Sequence, residues 1–228
     1  DLPNNPNHWW KYIAIWPDNN LYVPIGAPCN ICNPNLPYAA LHKINLATKK
    51  RTLVAQWIRN TVWFDWHPET KELWFTDNWR DRMWDNKPKD ELNKITHSWQ
   101  HFGYPYCHQW DIQDDEFRSQ KCNKFVAPIT KLWPHVAALW ITFTNKLTTN
   151  TQRQDHILIA EHWSRNRTSP IWYRISAVDL KTKKYKRFIT GWLQNNWSKL
   201  WRPVDIEPYI NWSFLISDDY AWLVYKVS

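Results

Sequence analysis

Short runs of hydrophobic residues, each broken by a polar turn, recur along the chain. Residues 12–26 contain two such runs around PDNN, residues 61–78 repeat the arrangement around HPETKE, and residues 204–218 repeat it around EPYIN. The runs are rich in β-branched and aromatic residues, which is typical of strands. No long amphipathic helix stands out, and DELNKITHSW predicts a short helix at most. The pattern predicts an all-β fold built from hairpins.

The hairpins recur at a spacing that indicates a β-propeller. Leu21 and Leu73 are 52 residues apart, and Leu158 and Leu215 are 57 residues apart. A period near 50 residues with about four strands is typical of a propeller blade. The interval from Leu73 to Leu158 is 85 residues, so we place an insertion at residues 77–128. About four blades are predicted on this basis.

Glycine is scarce and tryptophan abundant for such a fold. The chain has 3 Gly and 20 Trp in 228 residues, whereas average usage predicts about 16 Gly. Hairpin turns often need a positive φ, which glycine adopts most easily. A turn-rich chain with so few glycines is therefore an anomaly that needs an explanation.

Several motifs together resemble the glucose/sorbosone dehydrogenases, soluble β-propeller enzymes that use pyrroloquinoline quinone (PQQ). They are YIAIWPDNNLYVPIGAPCNIC, IRNTV-FDWHP-T-ELWFTDN-RD, QHFGYPYCH, AEHWSRNR, WRPVDI and SFLISDDYAWLVYKV, and they extend nearly end to end. The resemblance implies a six-bladed propeller in the family, with further blades upstream of His8. Residues 1–228 are then a single propeller domain, and the chain is expected to be incomplete.

The same resemblance implies the site residues. His8 aligns with the general base that removes the sugar hydroxyl proton, a task suited to a histidine near neutrality. Arg59 and Asn60 align with a pair that holds PQQ, whose carboxylates a guanidinium can bind in a two-pronged fashion. Trp79 and Arg80 align with a turn whose backbone carbonyls bind Ca²⁺ beside the cofactor.

Three more arginines are implied as cofactor-binding residues. Arg165 and Arg167 lie in EHWSRNR, although the family commonly has Trp at position 165. Arg202, in WRPVD, aligns with another cofactor-facing arginine. His135 precedes a strand and is a further candidate for the pocket. Without the resemblance, each of these residues would be read as an ordinary surface or loop residue.

The implied function is a PQQ-dependent oxidoreductase that oxidises a sugar hydroxyl by hydride transfer to the quinone, assisted by Ca²⁺. An external electron acceptor would complete turnover. The alternative is a non-catalytic propeller that binds a carbohydrate or a protein, because a propeller fold does not imply catalysis. A lactonase-type hydrolase would need more carboxylates at the channel mouth than the sequence places there.

The family pattern also locates the missing glycines. It has Gly where this chain has Trp16, Trp57, Trp63, Trp79, Trp84, Trp99, Trp110, Trp140, Trp163, Trp172, Trp201, Trp212 and Trp222. It has Trp where this chain has Trp66, Trp74 and Trp192. We hypothesise that the source organism reads UGA as glycine and that the sequence was translated with UGA as tryptophan. The competing hypothesis is a natural Trp-rich protein, such as a carbohydrate binder.

The four cysteines indicate the cellular compartment of the protein. CNIC holds Cys29 and Cys32, and Cys107 and Cys122 bracket a 14-residue loop. A zinc site is possible, but the second spacing is long for one, so two disulfides are favoured and the resemblance points the same way. Disulfides predict a periplasmic or secreted protein.

The net charge of +8 is compatible with nucleic-acid binding. A solvated basic loop at Lys181–Lys186 is the favoured interpretation, and no nucleic-acid partner is expected. No apolar run is long enough to span a membrane.

Overall fold

Four sheets of three to five strands follow one another along the chain, and a fifth sheet has two strands. A computed structural model describes residues 2–146, 155–163, 166–210 and 213–228. Within these residues the only helical elements are two 3₁₀ turns, Cys122–Lys124 and Thr144–Lys146. The all-β prediction is confirmed.

The first two sheets are built from the N-terminal half of the chain. The first sheet contains β1 (Ala14–Trp16), β2 (Asn20–Ile25), β3 (Ala40–Asn45) and β4 (Arg51–Gln56), in that order. The second sheet contains β5 (Phe64–Trp66), β6 (Leu73–Asp77) and β7 (Lys89–Ile95). Three short strands follow, which are β8 (Gln100–His101), β9 (Cys107–His108) and β10 (Ile112–Gln113). β8 pairs in parallel with β4, β9 pairs with β10, and β11 (Thr130–Pro134) completes the second sheet beside β7.

The remaining two sheets follow the same antiparallel pattern. The third sheet contains β12 (Ala138–Phe143), β13 (His156–Glu161), β14 (Arg174–Asp179) and β15 (Tyr185–Ile189). The fourth contains β16 (Pro203–Pro208), β17 (Phe214–Asp218) and β18 (Leu223–Val227). Lys181–Lys186, the basic segment, lies in the β14–β15 hairpin, and its lysines are exposed.

The predicted insertion at residues 77–128 needs correction. β7 lies inside that range and forms the third strand of the second sheet, paired with β6 on one side and β11 on the other. The excursion that leaves the sheet therefore runs between β7 and β11. β7 also contains DELN, part of the segment DELNKITHSW, for which the sequence predicted a short helix at most. Pairing on both sides outweighs the weak local helix propensity of this segment.

The hydrophobic cores lie between neighbouring sheets. Successive side chains of a strand point to opposite faces, so Trp74 packs toward the third sheet and Phe75 toward the first. In β13, Ile157 and Ile159 pack in the core toward the second sheet, and Leu158 packs in the core toward the fourth. Each fully buried side chain of this size stabilises the fold by about 1.5–3 kcal/mol. Because inner sheets are covered on both faces, their strands read as continuous hydrophobic runs.

All four cysteines are paired as predicted, Cys29 with Cys32 and Cys107 with Cys122. The first disulfide closes the loop after β2, and the second closes the excursion that contains β9 and β10. Zinc coordination by these cysteines is thereby ruled out in this structure. In the described residues, no helix has the length and apolar character that a membrane crossing requires.

The tryptophans differ in backbone conformation according to position. Four of the suspected glycine positions have a positive φ, with values between 58° and 73°: Trp57, Trp99, Trp110 and Trp222. Such a φ is a strained conformation for a bulky residue and costs about 1–2 kcal/mol at each position. Trp197, which was not on the suspected list, also has a φ of 65°. Trp66, Trp74 and Trp192, where the family has Trp, are buried and have no positive φ.

Solvent exposure distinguishes the suspected glycine positions from the family's Trp positions less clearly than φ does. Trp84 and Trp222 expose 70% and 87% of their surface, as expected for an indole placed where a turn needs glycine. Trp172 is buried, however, and so is Trp79. Trp212 lies outside the described residues.

Candidate functional site

Four of the predicted site residues lie in segments that lead into the first strands of the sheets. Arg59 and Asn60 precede β5, Arg202 precedes β16, and His8 lies upstream of β1. β12 contacts both β5 and β16, so the first strands of neighbouring sheets are side by side. The fold therefore gathers residues that are far apart in sequence at equivalent ends of successive sheets.

Arg59 is the most unusual charged residue of this region. Its side chain is buried, with 4% of the residue exposed. Nε donates to the carbonyl oxygen of Asn30, Nη2 donates to Asn30 Oδ1, and Nη1 donates to the carbonyl oxygen of Asn78, each at 2.8 Å. All three acceptors are neutral. A guanidinium has five N–H groups, so two of them have no partner among the described residues.

Asp77 fixes the backbone of Arg59 and Asn60 rather than the guanidinium. Its Oδ2 accepts the Arg59 N–H at 3.0 Å, and its Oδ1 accepts the Asn60 N–H at 2.7 Å. Burial raises the pKa of Asp77 to about 7, although the two N–H donors and the charge of Arg59 oppose this shift. Both carboxylate oxygens are thus occupied by backbone donors, and neither forms an ion pair with Arg59.

His8 and Asn60 approach each other across Gly26. A Cβ at position 26 would lie 2.6 Å from His8 Cβ and 3.0 Å from Asn60 Oδ1. No side chain fits there, so glycine is required for this contact. The Ala27 N–H donates to the Arg59 carbonyl oxygen at 2.8 Å and ties the same loop to Arg59. The structure therefore brings His8, Arg59 and Asn60 together.

The His8 imidazole is oriented by the same loop. Nδ1 lies 2.7 Å from the carbonyl oxygen of Ala27. Because a carbonyl oxygen can only accept, Nδ1 carries the proton and Nε2 of the neutral ring has a free lone pair. Burial, followed by the positive charge of Arg59, lowers the pKa of His8 to about 4. His8 is thus a neutral imidazole at physiological pH, with Nε2 as its proton-accepting atom.

The turn at residues 78–81 is held from several sides. The Trp79 N–H donates to Asp90 Oδ1 at 2.9 Å, and the Asp81 N–H donates to Asn30 Oδ1 at 2.8 Å. No donor among the described residues reaches the carbonyl oxygens of Trp79 or Arg80. Unshared backbone carbonyls in a fixed turn are suitable ligands for Ca²⁺. Within the described residues, no group of three or more His, Cys, Asp or Glu side chains could hold a metal ion.

Trp79 follows Asp77 and Asn78 in a polar loop, where the sequence predicts an exposed or strained indole. This prediction is wrong. Trp79 is 2% exposed and its φ is not positive. Its ring packs in a small core with Ala27 and Tyr104, and edge-on against His108 at a centroid distance of 4.8 Å. The disulfide-closed excursion covers this loop, so a position that appears polar in sequence is buried in three dimensions.

The Arg80 side chain points into that excursion. Nη1 lies 2.5 Å from Asp114 Oδ2, which also lies 2.6 Å from His108 Nε2. Nη2 lies 3.3 Å from Glu116. The Arg80 guanidinium is therefore paired, which leaves its backbone carbonyl as the group available to a metal.

Arg167 and Arg202 also have partners of their own. Arg167 Nη1 donates to the carbonyl oxygen of Asp85 and to Asn86 Oδ1. Arg202 Nε lies 2.5 Å from Asp219 Oδ1, and Asp219 lies 3.1 Å from His162 Nε2. No hydrogen bond or ion pair in the described chain links either arginine to Arg59. Arg165 lies outside the described residues.

His135 is buried, and the N–H of its neighbour Val136 donates to Asp90, the carboxylate that also accepts the Trp79 N–H. His135 Nε2 donates to the carbonyl oxygens of Trp84 and Lys87, at 2.9 Å each, and only 4% of the residue is exposed. It therefore anchors the loop at residues 84–87.

Three aromatic rings crowd the space between the first strands. Tyr12 stacks on Trp63 at a centroid distance of 3.1 Å, and Trp63 stacks on Trp140 at 3.0 Å. Aromatic pairs normally have centroids about 4.5–7 Å apart, and carbon atoms attract each other best at about 3.5–4.0 Å. The space between Tyr12 and its neighbours is therefore too small for two indoles. Trp63 and Trp140 are both suspected glycine positions.

Sequence reasoning missed Gly26, Asn30 and Asp77. Gly26 is one of only 3 glycines, and that scarcity was an available signal. Asn30 lies inside CNIC, a motif in which the sequence assigned a role only to the cysteines. Asp77 is the last residue of β6, and only its contact with the backbone of Arg59 and Asn60 reveals its role.

Comparison with known proteins gives one curated relative and a set of similar folds. The relative is an uncharacterized protein of Borreliella burgdorferi, 39% identical over 236 residues, which cover 99% of this chain and 62% of that protein. The chain thus spans less than two thirds of this relative's length. No protein-family model matches the chain.

Several solved structures share the fold. A calcium structure of a carbohydrate-active enzyme of family AA12 from Trichoderma reesei has a TM-score of 0.81 at 20% identity, covering 98% of this chain and 69% of that one. The holo PQQ domain of pyranose dehydrogenase from Coprinopsis cinerea has a TM-score of 0.77 at 17% identity, covering 98% and 70%. The soluble aldose sugar dehydrogenase of Escherichia coli, in its apo form, has a TM-score of 0.60 at 12% identity, covering 91% and 60%.

At identities of 20% or less, these neighbours establish the fold alone. The predicted β-propeller with about four blades is confirmed by the four sheets and by these similarities.

Proposed function

We propose that this propeller binds PQQ and Ca²⁺ and oxidises a sugar hydroxyl, with electrons passing to an external acceptor. The observation that carries the proposal is the Arg59 guanidinium, which is buried, held by neutral oxygens and without a carboxylate partner. Burial lowers the pKa of Arg59, and the charges of Asp81 and Asp77 oppose this shift without forming an ion pair with the guanidinium. A buried charge without a direct ion-pair partner is costly. A ligand carboxylate at this position would supply the missing countercharge, and PQQ carries three carboxylates.

The residues of the site fit the cofactor pair. Arg59 and Asn60 would hold PQQ, and the carbonyl oxygens of Trp79 and Arg80, which accept no hydrogen bond within the described residues, would ligate Ca²⁺. When bound, the quinone supplies a hydride acceptor and Ca²⁺ supplies Lewis acidity. Arg202 and Arg167 belong to the proposal by resemblance, and Arg165 likewise, although it lies outside the described residues. For Arg202, contact with a cofactor would require sharing its guanidinium with Asp219.

His8 would act as the base. Nδ1–H is held by the Ala27 carbonyl, which aims Nε2 away from that loop and keeps it unprotonated. A sugar hydroxyl within hydrogen-bond reach of Nε2 would lose its proton to this atom as the C–H bond is broken. Asn60, across Gly26, is placed to orient either the substrate or the cofactor.

Titration of the purified protein with PQQ tests the proposal. We expect saturable binding with one PQQ per chain that requires Ca²⁺ and is lost in excess EDTA. The loaded protein should reduce an artificial electron acceptor when aldoses are added. Absence of PQQ binding at micromolar concentrations in Ca²⁺ would refute the proposed function. Binding without turnover on any sugar would favour a non-catalytic binding propeller.

An extracytoplasmic location is part of the proposal. Both disulfides support it, because such bonds persist in oxidising compartments. Periplasmic and secreted locations are equally compatible with this chemistry.

We further propose that many of the tryptophans are glycines in the native protein, through UGA recoding. The support is the positive φ at Trp57, Trp99, Trp110 and Trp222, together with the crowding at Trp63. Four such φ values alone would cost roughly 4–8 kcal/mol, against a typical domain stability of about 5–15 kcal/mol.

Peptide sequencing by mass spectrometry decides between the two residues. The tryptic peptide at residues 60–71 of the native protein contains Trp63, a suspected glycine, and Trp66, which serves as internal control. We expect glycine at 63 and tryptophan at 66. Tryptophan at both positions would refute recoding at that site. The indoles would then fill the channel, and the alternative function as a binding module would be favoured.

A further inference from the structure

The loop closed by the Cys29–Cys32 disulfide carries Asn30 against Arg59. The Asn30 carbonyl oxygen accepts from Arg59 Nε, and Asn30 Oδ1 accepts from Arg59 Nη2, both at 2.8 Å. Asn30 Oδ1 also accepts the Asp81 N–H at 2.8 Å, and Asn30 Nδ2 donates to the Asp81 carbonyl oxygen at 3.1 Å. One residue therefore connects Arg59 to the turn at residues 78–81.

The position of Asn30 is set by its surroundings. The disulfide ties the two ends of the Cys29–Cys32 loop together. Tyr104, which is fully buried, accepts the Cys32 N–H at its hydroxyl at 3.0 Å, and the same hydroxyl lies 3.3 Å from Cys29 Sγ. The loop is thus fixed from both sides, and Asn30 cannot move away from Arg59 without breaking these contacts.

Arg174 is buried to the same extent as Arg59 but has a carboxylate partner. Arg174 is also 4% exposed, and its Nε lies 2.5 Å from Oε2 of the fully buried Glu161. Arg80 and Arg202 likewise face carboxylates. Arg59 is held just as firmly but by amide oxygens only. An aspartate at position 30 would keep the acceptor atom for Arg59 and add a countercharge, but it would lose the Nδ2 donor to the Asp81 carbonyl oxygen. Asparagine supplies both the acceptor and the donor and leaves the guanidinium without a countercharge.

We propose that Asn30 is a positioning residue that holds the Arg59 guanidinium through neutral oxygens, so that its charge and two N–H groups stay available for a ligand carboxylate. With PQQ as the ligand, this inference rests on the proposed function. It concerns the charge state of the residue that holds Arg59, and therefore predicts an effect of aspartate that differs from the effect of a simple truncation.

The test compares Asn30→Asp with Asn30→Ala. Asn30→Asp retains the oxygen that accepts from Arg59 and Asp81, loses the Nδ2 donor to the Asp81 carbonyl oxygen, and adds a negative charge beside the guanidinium. Asn30→Ala removes the side-chain hydrogen bonds and adds no charge. We expect PQQ affinity to fall in the order wild type, Asn30→Ala, Asn30→Asp, with a loss of at least tenfold for Asn30→Asp. The unfolding temperature of the ligand-free protein should be higher for Asn30→Asp than for Asn30→Ala.

Asn33→Asp is the matched control, because Asn33 is an exposed asparagine just after the same disulfide. It should bind PQQ within about threefold of wild type. If Asn30→Asp binds PQQ as tightly as Asn30→Ala or more tightly, Asn30 is merely structural and the inference is overturned. The unfolding comparison needs no ligand, and both variants lack the Nδ2 donor to the Asp81 carbonyl oxygen. If Asn30→Asp is less stable than Asn30→Ala, the added carboxylate does not stabilise Arg59 and the inference is overturned. Failure of the wild type to bind PQQ would instead count against the proposed function, so the two failures are distinguishable.

Discussion

Arg59→Gln is expected to weaken PQQ binding by at least about 30-fold while changing the stability of the ligand-free protein little. Removing one partner of a buried charge pair typically costs about 2–5 kcal/mol of binding free energy, and about 1.4 kcal/mol corresponds to tenfold in Kd. In the ligand-free protein the guanidinium has neutral acceptors and no carboxylate partner. Its removal therefore sacrifices hydrogen bonds but also removes a buried charge that has no direct ion-pair partner.

The measurement is a PQQ titration in Ca²⁺ together with urea unfolding of the ligand-free protein. Arg59→Lys separates charge from geometry, because a lysine retains the charge but not the planar fork, and we expect it to bind PQQ with intermediate affinity. Arg51→Lys, at an exposed position of β4, serves as the control and should bind as wild type does. Retention of wild-type affinity in Arg59→Gln would remove Arg59 from the cofactor site.

His8→Asn is expected to lower kcat by about 10²–10⁴-fold, the usual contribution of a general base, and to leave the Kd for PQQ within about threefold. The amide nitrogen of asparagine can occupy the place of Nδ1 and donate to the Ala27 carbonyl, whereas nothing replaces Nε2. Asparagine also tolerates the φ of 51° at this position better than most residues. The substitution thus removes the proton acceptor and preserves the local structure.

The pKa of His8 gives this prediction a pH dependence. Burial and the charge of Arg59 lower the pKa to about 4 in the ligand-free protein. The neutral, proton-accepting imidazole is the form present above that pKa, so activity that depends on His8 should be lost only as the pH falls toward it. A bound carboxylate ligand at Arg59 would reduce the positive field and raise the pKa. NMR titration of His8 with and without PQQ measures both values.

The control is His97→Asn, because His97 is exposed; its kcat should equal that of the wild type. A His8→Asn variant that retains full kcat would exclude His8 as the base. A variant that loses PQQ binding along with kcat would indicate that His8 belongs to the cofactor pocket instead. A pKa near the ordinary histidine value in the ligand-free protein would contradict the burial on which the pH prediction rests.

The tryptophans differ in how far the sequence predicts their conformation and their burial. The sequence pointed to thirteen tryptophans as unusual, and four of these have a positive φ in the structure, namely Trp57, Trp99, Trp110 and Trp222. It also predicted strain or exposure at Trp79, which is buried with an ordinary φ. The conformation of a tight hairpin turn is a local property, so sequence can anticipate it. Whether another loop covers a residue depends on contacts distant in the chain.

The sequence by itself determined the strands, the repeat and the disulfide pairs of this protein. Hydrophobic runs and turn residues act within a few positions of each other, so they are readable without a fold. Only the tertiary structure decided that β7 belongs to the second sheet, because pairing with β6 and β11 involves segments that lie far apart. Only the tertiary structure distinguished Arg59 from Arg202. Both are arginines before a strand, but one meets Asp219 and the other meets amide oxygens. The charges around a side chain depend on its neighbours in space. Those neighbours are distant along the sequence, so the sequence alone does not identify them.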